Sequence, residues 1–142
     1  MWIDPIYDRT LEDVQYANAN RDSPQPLKGA RNYTDLNRIA GNIHYLSDIL
    51  SNYGYVSSAT CKTAWTLGEV PSYSEFMKIQ SDLISLRYHV VGMVTTPVTP
   101  GLPYTHYQKI NDIEKILFDT EQMIENMAAA WFYSDELYSG EV

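Results

Sequence analysis

The sequence predicts an all-α protein, a small antiparallel helical bundle of three main helices plus a short N-terminal helix, with long irregular linkers. One observation behind this prediction is a segment that occurs three times. It reads YTDLNRIAGNIHYL from Tyr33, YSEFMKIQSDLISL from Tyr73 and YTHYQKINDIEKIL from Tyr104. The other is the spacing of apolar residues in the first two copies, which alternates between three and four positions. Such spacing is typical of a helix that packs on another helix at a shallow angle.

Each copy carries signals of a helix start directly after its first tyrosine. Thr34, Ser74 and Thr105 occupy that position, and their side chains are able to accept a hydrogen bond from a free amide of the first turn. We therefore predict a helix N-cap at each of them. A fourth start is predicted at Thr10, where Asp13 follows three positions later as in a capping box.

The apolar rows of the three copies predict the core. The third copy departs from the other two because Glu114 stands where they have Ile43 and Leu83, and its apolar row shifts to Ile113. The row then continues towards Trp131. The predicted core comprises Leu36, Ile39, Ile43, Leu46, Leu50, Phe76, Ile79, Leu83, Leu86, Ile110, Ile113, Leu117 and Ile124.

A chain of 142 residues is most simply a single domain. We divide residues 1–142 into an N-terminal short helix with its linker (1–33), a core bundle (34–131) and a C-terminal tail (132–142). The linker GYVSSATCKTAWTLGEVP is long for a bundle, and a turn of helix is expected near Ala59 to Trp65. The proline-rich linker GMVTTPVTPGLP and the C-terminal tail are expected to be extended.

A basic residue follows each repeated tyrosine five positions later. In the predicted register the two side chains meet across the first helical turn, so the stem of the base lies on the ring with its cation at the ring face. We interpret these pairs as structural clamps rather than binding sites. The pairs are Tyr33 with Arg38, Tyr73 with Lys78, and Tyr104 with Lys109.

Composition argues against several classes of partner. The formal net charge of −8 disfavours nucleic acid and anionic membranes, because both bind basic surfaces. No secretory signal and no apolar run of membrane-spanning length is visible. Cys61 is the single cysteine, so an intramolecular disulfide is excluded.

The sequence contains no recognisable catalytic, cofactor-binding or metal-binding set of residues. No glycine-rich phosphate loop and no Glu-x-x-His pair of a di-iron bundle occurs, so no cofactor is predicted. Cys61 is expected to be a buried or idle thiol rather than a nucleophile. The acids of the last helix are expected to form a solvated face, and the histidines lack the spacing of a zinc site. These residues are Glu114, Glu121 and Glu125, and His44, His89 and His106.

Tyrosine and tryptophan near the long linker form the one ambiguous feature. Such residues anchor protein interfaces and also stack on flat ligands. We expect Trp65 and Tyr73 to cover the end of the bundle. The candidate interface residues are Tyr53, Tyr55, Tyr133 and Tyr138, the last two in the segment WFYSDELYSGEV, which we regard as the preferred docking strip.

Three stretches together carry a family resemblance. YTDLNRIAGNIHYL, KTAWTLGEVPSYSEFMKIQSDLISL and YTHYQKINDIEKIL, with YSGEV at the end, resemble small helical domains in virion proteins of phages and prophages of Firmicutes, especially tail and baseplate-associated proteins. The resemblance runs from Lys28 to the end of the chain. Ala40 departs from it, because an acid often follows NRI in the family.

The resemblance implies a non-enzymatic structural or interaction module of a phage particle, and it brings no set of catalytic residues with it. Its expected partners are other virion proteins or a second copy of itself, with assembly in the cytoplasm of the bacterial host. The alternative is a carbohydrate- or ligand-binding module at a host surface that uses the Tyr/Trp cluster. A third reading is a small enzyme built on Cys61 or a carboxylate group.

Overall fold

The structure, a computed structural model, describes residues 1–90 and 95–140, with side chains as far as residue 130. These described residues form four helices, α1 (Leu11–Ala19), α2 (Tyr33–Asn52), α3 (Tyr73–His89) and α4 (Tyr107–Gly140). No strand occurs within those described ranges, so the all-α prediction is confirmed. The helices α2, α3 and α4 pack against one another in all three pairs.

The cap of α1 is as predicted, but those of α2 and α3 lie earlier in the chain than the sequence predicted. The α1 cap is Thr10, in a reciprocal capping box with Asp13. Asn32 rather than Thr34 caps α2, and Ser72 rather than Ser74 caps α3. Asn32 and Ser72 are the caps because each has an acid three positions later, the spacing at which cap and first-turn groups reach one another.

The third repeat begins its helix late. α4 starts at Tyr107, so Thr105 lies outside the helix and the predicted cap there is wrong. Instead, the Gln108 amide donates to His106 Nδ1 at 3.2 Å. The repeated tyrosine is thus part of the first turn in α2 and α3 but precedes the helix in the third copy, where Tyr104 is buried.

Contacts at both ends of the bundle give the direction of the helices. Near the start of α2, Arg38 binds Glu114 of α4, and near its end Leu50 shares a hollow with Ile124. Residue numbers rise together along the two helices, so α2 and α4 run in the same direction. They differ in this from the predicted antiparallel arrangement.

Helix α3 also runs in that direction. Its first turn contacts Tyr104, which precedes α4, with the Phe76 ring 5.6 Å from the Tyr104 ring. Its last turn and the middle of α4 bind adjacent residues of one linker, because Arg87 donates to Pro97 O and Asp119 accepts from Thr96. All three main helices are therefore parallel.

The length of the linkers makes a parallel bundle possible. α2 has 20 residues, or about 30 Å at ~1.5 Å per residue. The chain between Asn52 and Tyr73 is long enough to return over that distance. It does so along α2, since Ser57 is hydrogen bonded to Ser47 and Trp65 to Asn37.

The predicted core is confirmed. Ten of its residues are buried, and the other three, Leu36, Phe76 and Ile110, are half-buried and pack against them. The cluster also includes Tyr104 and Ile116. The buried ten are Ile39, Ile43, Leu46, Leu50, Ile79, Leu83, Leu86, Ile113, Leu117 and Ile124.

Helix α4 is longer than predicted, with 34 residues. It continues to Gly140, so the extended tail predicted from residue 132 is wrong. Neither proline nor glycine interrupts residues 107–139, and the run of three alanines before Trp131 favours helix. Within the part of α4 whose side chains the structure describes, which ends at residue 130, the last core residue is Ile124. None of the helices within the described residues has the length and apolarity to cross a membrane.

Candidate functional site

Each groove between two main helices is filled by a non-helical segment of the same chain that runs opposite to the helices. We call these segments the groove segments. They comprise residues 2–9 between α2 and α4, residues 55–65 between α2 and α3, and residues 96–104 between α3 and α4. The chain is thus three repeats of one unit, a groove segment and the main helix that comes after it. Buried polar side chains hold each segment in place.

The first groove segment is fixed at regular intervals. Every third backbone amide in it donates to a side-chain oxygen of α2 or α4. These bonds join Ile3 to Asn42 at 3.0 Å, Ile6 to Glu114 at 3.2 Å and Arg9 to Asn111 at 3.2 Å. The Asn42 and Asn111 amides donate back to Ile3 O and Arg9 O. Two asparagines therefore clamp the segment from both helices.

A charge cluster lies at the end of this segment, made of Arg9, Asp35, Arg38 and Glu114. Glu114 is 0% exposed, and Arg9 and Arg38 are 6% and 9% exposed. Glu114 accepts from Arg38 Nε at 2.6 Å and Nη2 at 3.0 Å, and Arg9 Nη1 lies 2.7 Å from it. Asp35 accepts from Arg38 Nη2 at 2.7 Å. Arg9 Nη2 lies 3.3 Å from Asp35 in ion-pair rather than hydrogen-bond geometry.

The cluster is neutral overall, with two cations and two anions. Burial acts to lower the pKa of the Arg38 guanidinium, but the hydrogen bonds and charges of Glu114 and Asp35 raise that pKa above its usual value. The desolvation cost of a buried ion pair is offset best when further hydrogen bonds satisfy its remaining donors and acceptors. Here Glu114 has such bonds from two other segments of the chain, Arg38 of α2 and the Ile6 amide and Arg9 of the first groove segment.

The prediction that Glu114 lies on a solvated face is wrong. It is wrong because this carboxylate points inward from α4, towards two arginines from other segments. The signal was present in the repeat, because Glu114 occupies the position held by buried Ile43 and Leu83 in the other copies. A charged acid in a core position requires a buried cation, and the repeated basic residue of the first copy, Arg38, supplies one.

The second groove segment is held mainly by Asp82 of α3. This carboxylate is 4% exposed and accepts from the Thr60 amide at 2.9 Å, the Thr60 hydroxyl at 3.0 Å and the Cys61 amide at 2.9 Å. From α2, His44 Nε2 bonds Cys61 O at 2.8 Å. The helical turn predicted near Ala59 to Trp65 is absent because these backbone groups bond helix side chains instead.

The third groove segment is held by longer side chains. Gln80 donates to Pro100 O at 3.3 Å, and Lys109 donates to Gly101 O at 2.9 Å and to Pro103 O at 3.0 Å. Residues 91–94, which include the start of the linker predicted to be extended (residues 92–103), lie outside the described residues.

The repeated bases differ from the predicted clamps. Arg38 binds carboxylates and Lys109 binds carbonyls, while Lys78 lies 3.8 Å from Glu75. Oxygen atoms bind these cations more strongly than the predicted faces of Tyr33, Tyr73 and Tyr104. Cation–ring contacts recorded among the described side chains are those of Lys62 with Trp65 and of Lys115 with Tyr7 and Phe118.

The predicted aromatic cluster is divided between two places. Trp65 is buried beside Asn37, near the start of α2, whereas Tyr53 is the residue after α2 ends. Sixteen helical positions separate Asn37 from Tyr53, about 24 Å at ~1.5 Å per residue. Tyr73, expected to cover the bundle end, is 65% exposed.

The interface candidates near the end of α2 are accessible to different degrees. Tyr53 is 41% exposed and borders a shallow, open apolar hollow that it shares with Leu50 and Ile124. Tyr55 is half-buried, with its ring 5.3 Å from His89. The side chains of Tyr133 and Tyr138 lie outside the described residues.

The candidate nucleophile is poorly placed for catalysis. Cys61 is buried, and burial together with the neighbouring Asp82 carboxylate raises the pKa of its thiol. A reactive cysteine needs the opposite shift, towards thiolate at neutral pH. Among the described residues, no group of three or more metal-ligating side chains converges on one point.

Comparison with known proteins gives no relative. The chain matches no protein-family model, no curated protein and no solved structure.

Proposed function

We propose that this protein is a non-enzymatic structural or interaction module of a phage particle, associated with the tail or baseplate. The observation that supports a structural role is the occupation of every groove between the main helices by the chain's own segments. Ligand sites in helical bundles form between helices, in pockets of about 300–1,000 Å³. Here the same space holds backbone bonded to buried Asn42, Asp82 and Glu114, which fixes the shape of the module.

The placement in a virion rests on the sequence resemblance. In this proposal the module presents a rigid surface to neighbouring virion proteins or to a second copy of itself. The division of the aromatic residues favours this role over a carbohydrate platform, because Trp65 and Tyr53 face no common site.

Mass spectrometry of purified phage particles tests the proposal. Particles from a host that carries this gene are banded on a density gradient and washed with high salt. We expect the chain to remain with tail proteins in a fixed ratio. Recovery only from the lysate, with none in washed particles, would contradict the virion role.

A further inference from the structure

Helix α3 carries an exposed apolar row on its outer face, which we call the α3 stripe. Its members are Tyr73, Met77, Ile84 and Tyr88, with exposed fractions of 65%, 48%, 55% and 85%. They are spaced by four, seven and four positions, which places them on one face of a helix with 3.6 residues per turn. Groove segments flank α3 at Asp82 on one side and at Gln80 and Arg87 on the other, and the stripe lies between them.

The stripe is specific to α3. In the register of the repeat, the positions that align with Met77, Ile84 and Tyr88 are polar or charged in both other main helices. They hold Asn37, His44 and Asp48 in the first copy, Met77, Ile84 and Tyr88 in the second, and Gln108, Lys115 and Asp119 in the third. Exposed apolar residues at all three positions of one copy form a contiguous surface of the kind that marks an interface.

The order of residues along the stripe is self-complementary. Two copies of α3 laid antiparallel and centred between Gln80 and Ser81 place Tyr73 of one copy opposite Tyr88 of the other, and Met77 opposite Ile84. A two-fold interface requires this reciprocity, because each contact occurs twice with the residues exchanged. Antiparallel helices also bring the positive end of each dipole near the negative end of the other.

Area and charge agree with a second copy as the occupant. Aromatic side chains bury about 150–250 Å² each, so the two tyrosines offer roughly 300 Å² per copy. With Met77 and Ile84 included, two copies bury about 1,000 Å², the lower limit for a specific interface. The stripe has no charged member, and Glu75, Lys78, Asp82 and Arg87 make the rest of α3 formally neutral, although the chain carries −8.

From these observations we infer that the protein forms a two-fold homodimer through antiparallel pairing of the α3 stripe. The inference goes beyond the proposed virion role and does not depend on it. Because the area of an interface does not fix its affinity, association is tested over a wide range of concentration.

Sedimentation equilibrium of the purified chain, from low micromolar to millimolar concentration, tests the pairing. We expect a reversible monomer–dimer equilibrium. Ile84→Glu places two charges in each dimer interface and should weaken association at least tenfold. Leu11→Glu is the matched control, because Leu11 is 56% exposed on α1, outside the stripe, and should leave association unchanged. Far-ultraviolet circular dichroism confirms that both variants are folded.

Disulfide trapping tests the register. Met77→Cys and Ile84→Cys are made separately in a Cys61→Ala background, and one of them carries a mass tag. Mixing the two should give mainly the mixed disulfide. Each variant alone should cross-link slowly, because like positions lie ~10 Å apart along the helix axis, beyond disulfide reach.

Three results would overturn the inference. The first is a monomer at every concentration, which would show that the stripe does not bind a second copy and would favour a different protein as its partner. The second is a dimer that Ile84→Glu does not weaken. The third is cross-linking of Met77→Cys with itself as fast as with Ile84→Cys, since that pattern requires a parallel or unordered contact.

Discussion

Replacing Glu114 by glutamine should strongly destabilise the fold. The carboxylate is fully buried, and it accepts from Arg38 twice, lies 2.7 Å from Arg9 Nη1 and accepts the Ile6 amide at 3.2 Å. Glutamine keeps the shape but removes the charge, which leaves two buried arginines with Asp35 as their one remaining anion. Loss of one partner from a buried ion pair costs about 3–5 kcal/mol.

The expected change is large enough for routine assays. For chains near this length, ~1 kcal/mol lowers the melting temperature by about 2–4 °C, so Glu114→Gln should melt roughly 6–20 °C below the parent. Urea denaturation followed by circular dichroism gives the free energy of unfolding. Glu12→Gln is the control, because Glu12 is an exposed acid in the first turn of α1 and should cost under ~0.5 kcal/mol.

Hydrogen exchange locates the effect. Because Glu114 accepts the Ile6 amide, exchange in residues 2–9 should speed up in Glu114→Gln by more than the global loss of stability explains. A Glu114→Gln variant that unfolds within ~0.5 kcal/mol of the parent would refute the reasoning, as it would show that the cluster contributes nothing as an ion network.

Three further predictions concern other parts of the chain. Asp82→Ala should cost about 2–4 kcal/mol, because the buried Cys61 amide and the partly buried Thr60 amide lose their acceptor, and Cys61 should then react faster with a thiol reagent. For Glu121, burial and the nearby Glu125 carboxylate raise the pKa to about 7, so the folded state holds this proton more tightly than the unfolded chain. Its contribution to stability is present at acidic pH and is lost as the pH rises through about 7, so melting temperature should fall less between about pH 5 and about pH 8 in Glu121→Gln than in the parent. Removal of residues 131–142 should leave the melting temperature within ~3 °C, because the core residues of α4 among the described side chains end at Ile124; unfolding of the truncated chain would place the removed residues in the core.

Local features of the fold could be predicted from the sequence, and non-local ones could not. The core was predictable because helical spacing fixes which side of each helix is buried, and the α1 cap because Thr10 and Asp13 are three positions apart. The helix direction depends on the course of the linkers, which is set by bonds such as that of Asn37 with Trp65. No local pattern encodes such a bond.

The charge cluster was missed for the same reason. Arg38 and Glu114 are 76 positions apart, and each alone is typical of a solvated helix face. Alignment of the three repeats offered the one available signal, since it places Glu114 in a core position. The alignment also shows the apolar residues of the α3 stripe. Their exposure depends on the groove segments that flank α3, and the sequence does not predict where these segments lie.

Pulsed electron paramagnetic resonance provides the most direct test of the central claim, that parallel helices are joined by segments that return through the grooves. Spin labels are attached to exposed positions by Asp48→Cys paired with either Asn126→Cys or Gln108→Cys, in a Cys61→Ala background diluted with unlabelled chain. The contacts of Arg38 with Glu114 and of Leu50 with Ile124 place residue 48 level with about residue 123 of α4. Parallel α2 and α4 therefore predict a short distance from 48 to 126 and an axial offset of about 22 Å between 48 and 108. The reverse order, with 48 nearer to 108 than to 126, would contradict the account.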